Sequence, residues 1–161
     1  MNNISIIPIN NLPEFEPKHD LADEIVKSFS SNNFVLEDKD VIVITQKIVS
    51  KVEDRLIKND NESIEKLIQQ ESLEILRKRG DTVIARTKHG FICANAGIDK
   101  SNIEKGLVLL LPEDPDKTSR DIRKKIEHVT NKKISIIISD TFGRAWRKGQ
   151  TNVAIGSSGI E

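Results

Sequence analysis

The chain of 161 residues sets 25 Lys and Arg against 25 Asp and Glu, with 37% hydrophobic and 31% charged residues, which describes a soluble globular protein of one domain or two small subdomains. Zero formal net charge removes any global attraction for nucleic acid or an anionic membrane surface, so a positive site has to be local. Met1-Asn2-Asn3-Ile4-Ser5 lacks the basic region and long apolar core of a signal peptide, no apolar run approaches the roughly 18 residues of a membrane span, and the cytoplasm is the expected location.

Ile4 to Ile9 reads as a first strand closed by the turn Asn10-Asn11-Leu12-Pro13. A helix capped near Asp20 follows, with Leu21, Ile25, Val26 and Phe29 at helical spacing. Val41 to Thr45 is a short continuous apolar strand followed directly by Gln46-Lys47, and strand-to-loop junctions of this kind often carry ligands. The stripe Ile64, Leu67, Ile68, Ile75, Leu76 predicts one helix over 62–78. Thr82 to Lys88 and Phe91 to Ala94 read as strands around a His89-Gly90 turn, and Leu107 to Leu111 as another before Pro112. Asp114-Pro115 opens a helix to about His128, Lys133 to Ser139 forms the strand that delivers Asp140, and Val153-Ala154-Ile155-Gly156 begins a further strand. Several short strands with irregularly placed helices predict an α+β fold, a mixed sheet with packed helices, rather than a doubly wound parallel one.

The most informative segment is Ser139-Asp140-Thr141-Phe142-Gly143-Arg144-Ala145-Trp146-Arg147-Lys148-Gly149-Gln150-Thr151. A carboxylate after a buried strand can hold a divalent cation, Thr141 adds an oxygen, and Arg144, Arg147 and Lys148 offer positive charge to polyphosphate oxygens. The glycine spacing from Gly143 to Thr151 is wrong for a P-loop, and the dinucleotide-binding, zinc-protease and serine-hydrolase motifs are absent as well. Ala94-Asn95-Ala96-Gly97-Ile98-Asp99-Lys100-Ser101-Asn102 also follows an apolar strand, so Asp99 and Asp140 could share a cation; from spacing alone, a plain turn built by Asp99 and Asn102 is the stronger reading. Cys93, the single cysteine, excludes an internal disulfide and reads as a small buried apolar residue. His89 reads as a turn residue and His128 as a helix-end partner of the dipole. Trp146 reads as a loop anchor with a stacking platform as the alternative, and Arg120, Arg123, Lys124 and Lys125 form a solvated helix face.

Three blocks, Gln46-Lys47-Ile48-Val49-Ser50-Lys51, His89-Gly90-Phe91-Ile92-Cys93-Ala94-Asn95-Ala96-Gly97-Ile98-Asp99 and Ile138-Ser139-Asp140-Thr141-Phe142-Gly143-Arg144, together resemble the coenzyme F-420-0:L-glutamate ligases in order and spacing. The resemblance runs from the first predicted strand to the last residue. It implies a GTP-dependent ligase that adds L-glutamate to coenzyme F-420-0 and extends it by γ-glutamyl links, through phosphorylation of a carboxylate and attack of the amine on the acyl phosphate. It implies Mg²⁺ or Mn²⁺, with K⁺ as a further candidate, held by Asp99, Asp140 and Thr141. Leu12, Pro13, Glu14, Phe15, Gln46, Lys47, Lys51 and Asn102 match the family's GTP-contacting positions. Arg144 is read as a phosphate or substrate contact and, with Lys51, as a catalytic cation. Residues 1–161 are expected to form one ligase-like domain whose second subdomain is cut short after about residue 155, because the resemblance implies a longer family with a further acidic ligand and a homodimeric assembly. The alternative is a non-catalytic GTP- and metal-binding fragment, or half of a split ligase.

Overall fold

The computed structural model describes residues 4–58, 63–101, 104, 106–143 and 148–160. Among them run helix α1 (Leu21–Ser31), strand β1 (Val41–Thr45), α2 (Gln46–Val52), β2 (Leu56–Lys58), α3 (Ser63–Glu71), β3 (Ser72–Arg79), β4 (Thr82–Thr87), β5 (Ile92–Ala94), a short 3₁₀ turn (Asn95–Gly97), β6 (Leu107–Leu109), α4 (Pro115–Thr130), β7 (Ser135–Gly143) and β8 (Gln150–Ser158). The strands pair as β1-β7-β8, β2-β6 and β3-β4-β5. Only β1 and β7 run parallel, while β7 and β8, like the other pairs, run antiparallel, so the expected α+β architecture with a mixed sheet is the observed one.

The apolar content of β1 and β7 decides the centre. Ile136 and Ile138 are fully buried on one face of β7, where they join Ile44 of β1, Ile25 and Phe29 of α1, and Ile122 and Ile126 of α4 in one cluster. Each fully buried aliphatic side chain of this kind stabilises the fold by roughly 1.5–3 kcal/mol. Helices α1 and α4 start where the sequence says they should, whereas α2 begins at Gln46, where a loop is expected. Asp20 caps α1 by accepting from the Asp23 amide and also takes Lys125 of α4, an ion pair at 2.7 Å that ties the two helices together. Asp114 caps α4 by accepting from the Lys117 amide at 2.8 Å, with Pro115 in the first turn, and Asn131 in the left-handed region ends it. A second cluster holds Ile68 of α3 against Val83 and Ala85 of β4, Ala96, Ile98, and Val108 of β6.

Three expectations fail. Ile4 to Ile9 forms no strand: Ile4 and Ile6 are each 93% exposed, and Pro8 cannot donate to a ladder. The helix predicted over 62–78 ends at Glu71, and Ser72–Arg79 is a strand paired antiparallel to β4. The cause is the two-residue turn Gly80-Asp81, whose Gly80 takes φ +57° and folds the chain back as a hairpin. Finally, the strand before Asp140 does not stop at Ser139 but continues to Gly143, because β8 pairs with it down to Gly143 and Gln150.

Gly156 on β8 lies under the first turn of α4. A Cβ there would come within 2.5 Å of the Pro115 backbone carbonyl, which cannot move without lifting the helix. Gly156→Ala is therefore expected to destabilise the fold by about 1–3 kcal/mol, the range for overpacking, measured as a fall in the urea midpoint without a change in slope.

Candidate active site

The parallel register pairs Thr45 with Ser139, so the two strands release Gln46-Lys47 and Asp140-Thr141 at the same end of the sheet. Strand β1 passes into α2 without a loop, since Thr45 is still extended at φ −70°, ψ 141° and Gln46 is already helical. On α2, Gln46 and Ser50 lie one turn apart on the buried face, where the Ser50 hydroxyl donates to Gln46 Oε1 at 2.9 Å. Lys47 and Lys51 lie one turn apart on the neighbouring face and remain partly exposed.

Each lysine has a carboxylate partner. Lys51 pairs with Glu14, which brings the Leu12–Phe15 segment against α2, and the Lys18 amide bonding the Val52 carbonyl at 3.1 Å closes the same junction. Leu12 is half-buried and Phe15 is buried in the core, whereas Pro13 and Glu14 are exposed. The Lys51 hydrogen bond and charge hold Glu14 below the ordinary carboxyl range. Lys47 pairs with Asp99 and also donates to the Ser101 hydroxyl at 2.7 Å and the Ser101 carbonyl at 3.2 Å.

Asp99 is fixed from behind. Its amide donates to the Leu109 carbonyl and its carbonyl accepts from the Leu109 amide, both at 2.9 Å, against the fully buried centre of β6. The approach to it is strained: Asn95 (φ 50°), Ala96 (φ 54°) and Gly97 (φ 75°) are consecutive residues at positive φ. The conformation is held because Asn95 Oδ1 accepts from the Val83 amide at 2.9 Å, and because Gly97 packs where a Cβ would meet Leu111 Cδ1 at 2.7 Å. Non-glycine residues in this region cost of order 1–3 kcal/mol each and collect at functional sites. The turn reading of Asp99 is correct as far as it goes, since Oδ1 accepts from both the Ser101 amide and hydroxyl at 2.7 Å. It missed Oδ2, which faces Lys47.

Asp140 sits on β7 in phase with Ile136, Ile138 and Phe142, on the face that turns toward the core. Burial accordingly raises its carboxyl above the ordinary range; the negative charge of Asp99 adds to the rise, while the Thr141 amide, which donates to Asp140 Oδ1 at 2.7 Å, and Lys47 pull the other way. The Thr141 side chain points to the opposite face, where its hydroxyl bonds Asn152 Oδ1 at 2.9 Å across to β8. A register shift between Ile138 and Ser139 puts a bulge in the β7–β8 ladder directly before Asp140. Burial pushes the Cys93 thiol up to about 11, with the charge of Asp140 adding to it, as befits the buried, inert residue expected. His89 lies in the β4–β5 turn as expected, bonded through Nε2 to the Glu113 carbonyl at 3.1 Å. Asn102 and Arg144, with Trp146 and Arg147, lie outside the described residues.

Lys47, Lys51, Glu14, Asp99 and Asp140 thus form one chain of charges along the end of β1 and β7. Two neighbouring carboxylates, both partly desolvated, suit a small divalent cation that takes few protein ligands and fills the rest with water and phosphate oxygens. No cluster of three or more His, Cys, Asp or Glu arranged to hold a metal occurs among the described residues. Gln46 Nε2, buried at the base of this site, has no hydrogen-bond partner among the described residues. Such a donor costs about 1–3 kcal/mol.

A model of the F420-0:gamma-glutamyl ligase family matches residues 10–161. The chain belongs to that family. Among its relatives, the coenzyme F420:L-glutamate ligase of Methanococcus maripaludis strain S2 is 44% identical over 146 residues, covering 80% of this chain and 58% of that protein. The enzyme of the same name from Methanothermobacter thermautotrophicus is 36% identical over 174 residues, covering 98% of this chain and 69% of that protein. The one from Methanocaldococcus jannaschii is 42% identical over 144 residues, covering 79% of this chain and 57% of that protein. The chain therefore spans between about 57% and 69% of the length of these relatives. No helix among the described residues is long and apolar enough to cross a membrane.

The two aspartates should respond oppositely to neutralisation. Asp140, whose folded carboxyl is raised, contributes stability that is fully present below its unfolded pKa and is lost as pH rises through the folded value. Asp99 is the reverse: burial pulls it upward, but Lys47 and Ser101 outweigh burial and leave it lowered, so its contribution is present at neutral pH and is lost in acid. Thermal unfolding at pH 7 should show Asp140→Asn more stable than the parent chain and Asp99→Asn less stable, with both differences shrinking below about pH 4, near the ordinary aspartate value.

Proposed function

We propose that this chain acts as a GTP-dependent coenzyme F420:L-glutamate ligase, adding L-glutamate to coenzyme F-420-0 and extending it by γ-glutamyl links. The observation that carries the reading is the meeting, in one family member, of Lys47 and Asp99 with Asp140 at the shared end of β1 and β7. Asp99 and Asp140 hold Mg²⁺ or Mn²⁺; Thr141 joins them only through its backbone carbonyl, because its hydroxyl is bonded to Asn152 on the opposite face of β7. The cation supplies Lewis-acid charge to the phosphate oxygens.

The remaining work falls to the chain's own groups. Lys47 and Lys51, one turn apart on α2, present two ammonium groups to a triphosphate, with the Leu12–Phe15 segment and Asn102 completing the GTP contacts. Gln46, the remaining GTP-contacting position, is fully buried beneath them, its amide nitrogen unpartnered among the described residues. Arg144 and Lys51 stabilise charge on the transferred phosphoryl group. The substrate carboxylate attacks the γ-phosphorus and GDP leaves, and the amine of L-glutamate then attacks the acyl phosphate carbon, expelling phosphate and giving up a proton. Neither step needs a protein nucleophile; both need positioning and charge. A homodimer in the cytoplasm is the proposed setting.

A second reading is favoured by one observation, that the chain spans only 57–69% of these relatives. On that reading it is the GTP- and metal-binding portion of a ligase and turns over only with the rest of the family's length present.

Incubating the chain with GTP, Mn²⁺, L-glutamate and coenzyme F-420-0 should give products heavier by one or more glutamyl units in a mass spectrum. Asp99→Asn and Asp140→Asn should each lower that turnover by roughly 10²–10³-fold, the cost of removing one charge-stabilising element. GTP binding without any glutamyl product would favour the second reading. Unchanged turnover in both variants would exclude the metal assignment.

A further inference from the structure

We infer that Lys47 is an exchangeable counter-ion of Asp99, which gives up the carboxylate to the incoming divalent cation and turns to the phosphates. The inference rests on the metal site of the proposed function and adds a coupling between metal and nucleotide that the site assignments alone do not contain. Its basis is the occupancy of Asp99. Oδ1 is taken by the amide and hydroxyl of Ser101, and Oδ2 by Lys47. The ammonium in turn spends its three donors on Asp99 Oδ2, the Ser101 hydroxyl and the Ser101 carbonyl.

A dication on Asp99 and Asp140 meets this ammonium at close range, and like charges sharing one carboxylate repel. Asp99 cannot retreat, since Leu109 holds its backbone through both hydrogen bonds. Lys47 can, because its side chain is 31% exposed and sits on a flexible four-carbon stem in the first turn of α2. Lys51, one turn along the same face, marks the direction in which a phosphate would draw it. Metal binding therefore releases a cation for the polyphosphate, and a ligand that captures Lys47 clears Asp99 for the metal. By reciprocity the two ligands must strengthen each other to the same degree.

The test is Mn²⁺ binding to the full chain without nucleotide, read from the electron paramagnetic resonance signal of free Mn²⁺ at fixed ionic strength. Lys47→Met and Lys47→Gln, which remove the competitor, should bind Mn²⁺ roughly tenfold more tightly than the parent chain, within the usual range of coupling between linked sites. Lys47→Arg, which keeps a charge, should stay near the parent value, and Asp99→Asn should lose the site; far-UV circular dichroism confirms that each variant is folded. Asp99-dependent binding that is unchanged or weakened in both neutral variants overturns the exchange while leaving the metal site standing. Absence of Asp99-dependent Mn²⁺ binding in the parent and in both neutral variants overturns the metal reading and the exchange with it.

Discussion

Everything at the site depends on the parallel pairing of β1 with β7. Parallel strands end together, so a register that sets Thr45 against Ser139 places the start of α2 beside Asp140. A slip of one residue would turn Ile136, Ile138 and Asp140 to the opposite face at once. The register is held by the apolar side chains of both strands, whose inward residues sit between α1 and α4, so the same burial that stabilises the fold also aims the carboxylate.

That arrangement creates an electrostatic problem and meets it with charge. Asp140 lies on the core-facing side of its strand, near a second carboxylate, an arrangement that burial and like charge both oppose. Lys47 relieves part of it, and the hydrogen bonds from Ser101 and the Thr141 amide relieve more. A site that is costly to keep desolvated and negative binds a cation more readily than one already neutral. The positive-φ run from Asn95 to Gly97 has the same character, a local strain kept in place by Val83 and Leu111 because it points Asp99 at Lys47.

Much of this was legible in the sequence, for identifiable reasons. Asp20 and Asp114-Pro115 are strong helix starts, and Val41 to Ile44 and Ile136 to Ile138 are short apolar runs, so α1, α4, β1 and the first part of β7 could be placed. The stripe from Ile64 to Leu76 misled because its first half is a true helix and its second half, Leu73 to Leu76, fits either period; only the Gly80-Asp81 turn after it, by folding the chain onto β4, makes it a strand. Asp99 and Asp140 were each visible as polar residues after apolar strands, but their approach depends on β5 lying against β7 and on Asp99 bonding to Leu109 of β6, which no local pattern encodes. The Lys47–Asp99 pair is not visible for the same reason, and because the resemblance gives Lys47 only as a GTP-contacting position. The family was legible because its three blocks are the segments that meet at this site.

The central claim is that Asp99 and Asp140 form one divalent-cation site at the common end of β1 and β7. Crystals of the chain grown with Mn²⁺ and measured near the manganese absorption edge test it directly. The account predicts an anomalous peak between the two carboxylates, within the roughly 2.0–2.6 Å coordination range of small oxygen-liganded cations. A fully occupied peak elsewhere, with Lys47 still seated on Asp99, would contradict it.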